Sequence, residues 1–339
     1  MREPDKHRIL DAIRHIERPD IPLLEIDPDI AIMNQILSKE LPFHLHSFEQ
    51  EVADNVELNL RMGNDMLYFS HVWRLGRVNV QDALGRLHYK DGSIKTRSDF
   101  DQIWFPDLGK LEKRLDLTCK ALEGTGMGLM CGAQTAAFTA MTAMGYNEFL
   151  MNTLADPDLV MDLIKILHEY CMREMEVYFQ YPLDLMKVAS GIITTTGPMV
   201  SWDMVEELET SFIREQIGII RDRGKKVYFH IDGKVDQSIP DFIQMGVDVL
   251  NPIDPSGGIQ DIYEIKEMYG GEITLAGNIN IDTVLKDGTV HEVKADVTEH
   301  MERLGKGGGY IVCSSHNLHE LIPVENFYAM RDAVMEFGK

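Results

Sequence analysis

The side chains best able to do chemistry in this chain lie just past short apolar runs. KKVYFHIDG ends in His230 and Asp232, VDVLNPIDP in Asn251 and Asp254, TLAGNIN in Asn278 and Asn280, and GGYIVCSSHNLH in Cys313, His316 and His319. His230 and Asp232 are two positions apart. On an extended segment residues i and i+2 share a face, so this imidazole and carboxylate can converge on one metal ion or one proton. With His316 they form an imidazole, carboxylate, imidazole set, which suits zinc or another borderline divalent ion. A lone strand histidine is often only a satisfied core residue, and Asp-Gly only a turn. Cys313 reads as a small buried hydrophobe and a second-choice ligand, and His319 as a surface residue. Earlier in the chain, SHVWRLGR clusters His71, Trp73, Arg74 and Arg77. These either pack or line a pocket for an aromatic or anionic substrate, with His71 the substrate-binding candidate.

Residues at run ends meet only if the runs are neighbouring strands. Ile21 to Glu25, Asp65 to Ser70, Met127 to Cys131, Leu185 to Ser190, Val227 to Ile231, Val247 to Asn251, Ile273 to Gly277 and Tyr310 to Cys313 read as eight strands. Helical stretches alternate with them. Pro157 to Phe179 is one, Ser201 caps another that closes at Gly224, and the run through Pro323 and Asn326 opens the last. Ser190 to Pro198 (SGIITTTGP) reads as a loop capping the next helix, and GKGGGY at 305–310 precedes a strand and is therefore a turn. The expected architecture is α/β, a (β/α)8 TIM barrel with an N-terminal helical extension, as one domain over residues 1–339. A doubly wound open sheet has the same alternation, but no GxGxxG follows the first strand. In a barrel, the carboxyl ends of the strands carry the active site.

Composition narrows the partners. A formal net charge of −22 over 339 residues opposes attraction to nucleic acid or anionic lipid. The four cysteines, Cys119, Cys131, Cys171 and Cys313, form no CxxC pair, which suits free thiols in a reducing compartment. No apolar run approaches the roughly 20 residues that span a bilayer, and MREPDKHRIL is charged from its second residue, so a cytoplasmic protein is expected. The twenty methionines read as core filler.

The series GPMVSWDMVEE, GKKVYFHIDG, GVDVLNPIDP, LAGNIN and GGGYIVCSSHNLHELIPVENFYAM resembles the uroporphyrinogen decarboxylase-like superfamily, closely from about Asp184 to Phe337 and more loosely through Gly126 to Phe179. The resemblance implies a barrel and one of two chemistries: cofactor-free decarboxylation of porphyrinogen acetates, or zinc-dependent methyl transfer to or from a corrinoid. The decarboxylase branch carries Arg-Gln-Ala-Gly-Arg-Tyr near its start, where this chain reads HIERPDIPLLE. It also carries an Asp after the fourth strand, where this chain has Ala189 and Ser190. The methyltransferase branch carries His-x-Cys after the fifth strand and a Cys after the eighth. By that resemblance His230 matches the first ligand, Asp232 stands in place of the first Cys, and His316 in place of the last. Such a set makes zinc a harder Lewis acid than thiolates do, which suits an ether or amine leaving group. The expectation is a methyltransferase that demethylates a small O- or N-methyl compound and passes the methyl to a corrinoid. Asn251, Asn278 and Asn280 would orient substrate. The chain lacks Asp-x-His-x-x-Gly, so a partner protein would carry the corrinoid. Two alternatives stay open: a metal-free carboxy-lyase in which His230 and His316 donate protons, and a non-catalytic corrinoid- or tetrapyrrole-binding barrel. Members of the superfamily are often homodimers.

Overall fold

The computed structural model describes residues 2–41, 47–81, 87–194, 197–255 and 261–338. Seven strands form one parallel sheet: β1 (Met66–Ser70), β4 (Gly128–Gly132), β5 (Leu185–Ala189), β8 (Lys226–His230), β9 (Val249–Asn251), β10 (Thr274–Ala276) and β11 (Tyr310–Ile311), hydrogen-bonded in that order. Two hairpins stand apart from it, β2 (Arg77–Gln81) with β3 (Leu87–Gly92), and β6 (Ile193–Thr194) with β7 (Gly197–Pro198). The sheet is curled, and helices cross over between its successive strands.

Alternation along the strands sorts the side chains. Leu67, Leu129, Met186, Val227, Leu250, Leu275 and Val312 pack outward with helix residues such as Leu111, Ile213 and Ile217. Their neighbours Met66, Met130, Leu185, Tyr228, Val249, Ala276 and Ile311 gather with Leu24 on the concave face. The helix Lys6–Ile13 seals this inner cluster from the amino-terminal end of the sheet, burying Ile9, Ala12 and Ile13. Both Gly309 N and Thr274 Oγ1 donate to Ala12 O, at 3.1 Å. The expected turn at GKGGGY makes this docking possible. Gly307, Gly308 and Gly309 all have φ near +70°, and a Cβ on Gly308 would lie 2.6 Å from the backbone of His15.

Three aspartates finish this floor, each standing immediately before a strand. Asp65 takes Arg8 Nη1 at 2.6 Å and Arg2 Nη2 at 3.3 Å, Asp184 takes Lys6 Nζ at 2.9 Å, and Asp248 takes Lys226 Nζ at 2.8 Å. Each also accepts a backbone N–H, from Asp5, Leu129 and Val227 respectively.

Strands are found where seven were expected, five of them shorter by one or two residues and two, Gly128–Gly132 and Lys226–His230, shifted by one. The first, Ile21 to Glu25, is a correction: it forms only an isolated parallel bridge, Leu23 to Val312. Val312 N donates to Pro22 O, Leu24 N to Val312 O, and Asp65 N to Leu23 O. Pro22 has no N–H to offer, and at Glu25 the Asn64 side-chain amide takes the place of a neighbouring strand's peptide group, at 2.9 and 2.8 Å. Ser201 caps its helix as expected, accepting from Met204 N, and that helix runs through a π turn at Glu206–Thr210 before ending near Gly224. Within the expected loop at 190–198, Thr195 and Thr196 lie outside the described residues, and the rest carries β6 and β7. Among the described residues, no helix is long and apolar enough to cross a membrane.

Candidate functional site

Two residues beyond five of these inner positions, the concave face changes from apolar to polar. Above Met66, Leu185, Tyr228, Val249 and Ile311 stand Tyr68, Lys187, His230, Asn251 and Cys313. Because the strands are parallel, this polar layer lies at their shared carboxyl ends and forms the mouth of the sheet.

The sequence expectation brings together a real cluster. His230 Nδ1 lies 2.6 Å from Asn251 Oδ1, and Asn251 Nδ2 donates to Ala276 O at 3.0 Å and to Cys313 Sγ at 3.2 Å. An amide oxygen accepts only, so Nδ1 carries a proton and Nε2 is the nitrogen turned toward Asp232. That Nε2 is 3.6 Å from Asp232 Oδ2, and His316 Nε2 approaches the same oxygen from the other side at 3.9 Å. The rings of His230 and His316 are 6.4 Å apart. Exposure rises outward: the side chains of His230, Asp232 and His316 are 14%, 34% and 52% accessible. Burial by itself pushes the Asp232 carboxyl upward, but the His230 imidazole, His316 and Lys187 outweigh it and leave Asp232 below the usual carboxylate range. Its second oxygen, Oδ1, is buried with no hydrogen-bond partner among the described residues.

Cys313 is buried, and burial pushes its thiol well above the ordinary range. It is a packed neighbour of the cluster rather than a ready thiolate. Asn278 is committed elsewhere: Nδ2 donates to Ile253 O at 2.7 Å, and Oδ1 lies 3.2 Å from His300 Nε2. Asn280 caps the turn that follows it, accepting from Asp282 N and Thr283 N. His71 belongs to a different cluster. Its Nδ1 lies 2.7 Å from Glu174 Oε1, and the fully buried Glu174 also accepts from Trp73 Nε1 and Tyr178 Oη. Arg77 lies over the Tyr89 ring, 4.9 Å from its centroid.

Several mouth residues escaped the sequence reading. Glu25 is wholly buried and contacts Ser314 through both oxygens. Burial pushes its carboxyl up to about 7, against the opposing pull of those hydrogen bonds. Ser314 Oγ is 2.6 Å from Glu25 Oε2 and 2.6 Å from His316 O. One hydroxyl proton cannot serve both acceptors. A Glu25 that keeps its own proton resolves the count, donating to Ser314 while Ser314 donates to the carbonyl of His316. Lys187 and Asp27 face each other across the mouth at 3.9 Å. Beside them opens a cavity of about 280 Å3 lined by Glu25, Asp27, Tyr68, Phe69, Ser70 and Arg114 among others.

For a metal, the donor set fits in kind. Two imidazole nitrogens face one carboxylate, whose other oxygen is an orphan. The atoms as placed do not close around a point, and among the described residues no three His, Cys, Asp or Glu groups form a closed ligand cluster.

A family model described as uroporphyrinogen decarboxylase (URO-D) matches residues 87–337. None of the curated proteins matches the chain. Among solved structures, a methyltransferase from Methanosarcina mazei is similar over 98% of this chain and 98% of its own, with a TM-score of 0.72 and 16% identity. At that identity the likeness is one of fold. A D-psicose 3-epimerase from Clostridium cellulolyticum H10, solved with D-tagatose, covers 86% of this chain and 92% of its own at 10% identity, and its TM-score of 0.48 carries no argument.

Proposed function

The chain belongs to the uroporphyrinogen decarboxylase (URO-D) family, and from that premise we propose that it is a methyltransferase, taking a methyl group from a small O- or N-methyl compound to a corrinoid carried by a partner protein. The observation that carries this reading is the convergence of His230 Nε2 and His316 Nε2 on Asp232 Oδ2, with Asp232 Oδ1 left unpartnered. A carboxylate used only as a strut would have both oxygens engaged. The likeness of fold to the M. mazei methyltransferase supports the same reading. We also read the bonds of Pro22 to Leu24, which tie Val312 to Asp65, as the eighth strand position of a closed (β/α)8 barrel.

His230, Asp232 and His316 would hold zinc, with Cys313 in reserve. Zinc bound there would draw electron density from the ether oxygen or amine nitrogen of the substrate. Asn251 fixes the His230 tautomer, so that Nε2 is the nitrogen offered. Ser314 and Glu25 fix the carbonyl of His316 and hence the loop that brings its ring to Asp232. The apolar layer below excludes water from beneath the reacting atoms.

Two measurements test this together. Protein purified without a histidine tag should contain about one zinc per chain, and His230→Ala should lose it. The zinc protein should methylate reduced cobalamin from an O- or N-methyl donor, with His230→Ala slower by roughly 100-fold or more. Metal-free protein that nonetheless turns over, or zinc retained in His230→Ala, would overturn the assignment.

A further inference from the structure

The polar layer of the mouth can be audited valence by valence. His230 and Asn251 satisfy each other, Asn251 also reaches Ala276 and Cys313, and both polar groups of Asn278 are engaged. Two side chains on the β1 and β5 side differ. Lys187 projects from β5 on the same face as Leu185, with Nζ 5.1 Å from the centroid of the Tyr68 ring. Its nearest carboxylate oxygen, Asp27 Oδ2, is 3.9 Å away, beyond hydrogen-bond reach. Its side chain is 13% exposed, yet none of its three N–H groups finds an acceptor among the described residues. Tyr68 sits beside it, with Oη in the space left open by Gly132. A Cβ there would lie 2.2 Å from that oxygen. No acceptor holds Tyr68 Oη among the described residues.

Lysine is seldom buried without a partner, because an ammonium removed from water needs its donors satisfied. Its Nζ lies over the Tyr68 ring, a cation–π contact that partly offsets the charge but gives its N–H donors no oxygen acceptor. A largely buried lysine whose ammonium opens to the mouth, with a phenol O–H beside it, is a seat for two acceptor oxygens on one anionic centre, joined by charge-assisted hydrogen bonds. Asp27 does not fill that seat. It sits at φ +48° with its carbonyl held by Asn317 Nδ2 at 2.8 Å, and burial pushes its carboxyl upward.

We propose that Lys187 and Tyr68 Oη bind the carboxylate of the substrate, so that the compound acted on is a small methylated carboxylic acid. Its acid end lies on the β1 and β5 side, and its methylated oxygen or nitrogen faces His230, Asp232 and His316. The identity of the methylated end rests on the methyl-transfer reading above. The carboxylate seat does not.

Calorimetric titration of the full chain tests the seat without a corrinoid. The probes are methoxyacetate and N-methylglycine, with 2-methoxyethanol and N-methylethanolamine as the matching compounds that lack a carboxylate. The acids should bind at least tenfold tighter than their partners. Lys187→Met should remove at least that tenfold preference while leaving the two alcohols unchanged, and Tyr68→Phe should weaken the acids by about threefold. Equal affinities across the panel, tighter binding of the alcohols, no binding by any of the four, or an unaltered preference in Lys187→Met would each overturn the proposal. If Lys187→Met does not fold, the wild-type panel and Tyr68→Phe decide it. A chain that prefers the acids but never methylates cobalamin keeps its carboxylate seat and loses the methyl-transfer reading. The reverse result removes only the seat.

Discussion

The floor and the mouth of the sheet are built from the same strands only a few residues apart, and they treat charge in opposite ways. At the floor each carboxylate meets a cation: Asp65 two arginines, Asp184 and Asp248 one lysine each. At the mouth the pairing is incomplete. Among the described residues, Asp232 keeps one orphan oxygen, Lys187 donates no hydrogen bond, and Glu209 is buried against neutral donors alone. Buried charge left unsatisfied costs stability, and it persists where a ligand or a reaction uses it. The contrast separates what holds the fold from what is available for function.

The largest effect should come from breaking the floor. Asp65→Ala leaves the buried Arg8 with the partly exposed Asp20 and the carbonyl of Glu3, and is expected to cost about 3–5 kcal/mol in urea unfolding. Zinc content per folded chain should stay as in wild type. A variant no easier to unfold than wild type would remove the distinction between the two ends.

Next in size is a mouth substitution with the reverse signature. Asn251→Ala frees His230 Nδ1, and zinc affinity should fall by roughly 10- to 100-fold in a chelator competition. Asn251→Asp, which keeps an acceptor oxygen, should recover most of it. If alanine and aspartate behave alike, Asn251 does not act through His230.

A smaller effect tests a rim carboxylate through pH. Glu209 takes Ser190 Oγ at 2.5 Å and Gly191 N at 2.8 Å, and burial pushes its carboxyl up to about 6 from the ordinary 4.5. Below pH 4.5 it is protonated in folded and unfolded chains alike, and the full stability is present. As pH rises toward 6 the unfolded chain ionises first, so stability falls by about 2 kcal/mol and then levels off. Glu209→Gln should lose that slope and gain on the wild type across this window. Parallel stability curves for the two proteins would show that Glu209 does not titrate in this way.

The architecture was legible because most of it is local: alternating runs, Ser201 and Gly224 as helix ends, and polar residues where the runs finish. The His230 cluster was legible for the same reason, since an i, i+2 pair at a strand end declares its own geometry. Lys187 was not, because LDLMKVAS gives no sign of which face a central lysine takes until β4 and β8 fix the register. Glu174 was hidden differently: its donors His71 and Trp73 lie about a hundred residues away, and one helical glutamate looks like any other. The first strand was misread because its composition suits a strand, while Pro22 and the amide of Asn64 replace part of the ladder it would need.

The plugging helix has a consequence for the order of synthesis. Ala12 O is held by Thr274 and Gly309, so the receptor for residues 6–13 is not complete until Gly309 has been translated. Before Thr274 is made, Ile9, Ala12 and Ile13 have only the earlier members of the inner cluster, such as Met66, Met130 and Leu185, and lack Ala276 and Ile311. Contacts of this sequence separation are slow to close, and an uncovered apolar helix is a site for wrong association. The helix therefore waits 262 residues for its bond from Thr274, and a ribosome stalled before Gly309 would present it incompletely docked.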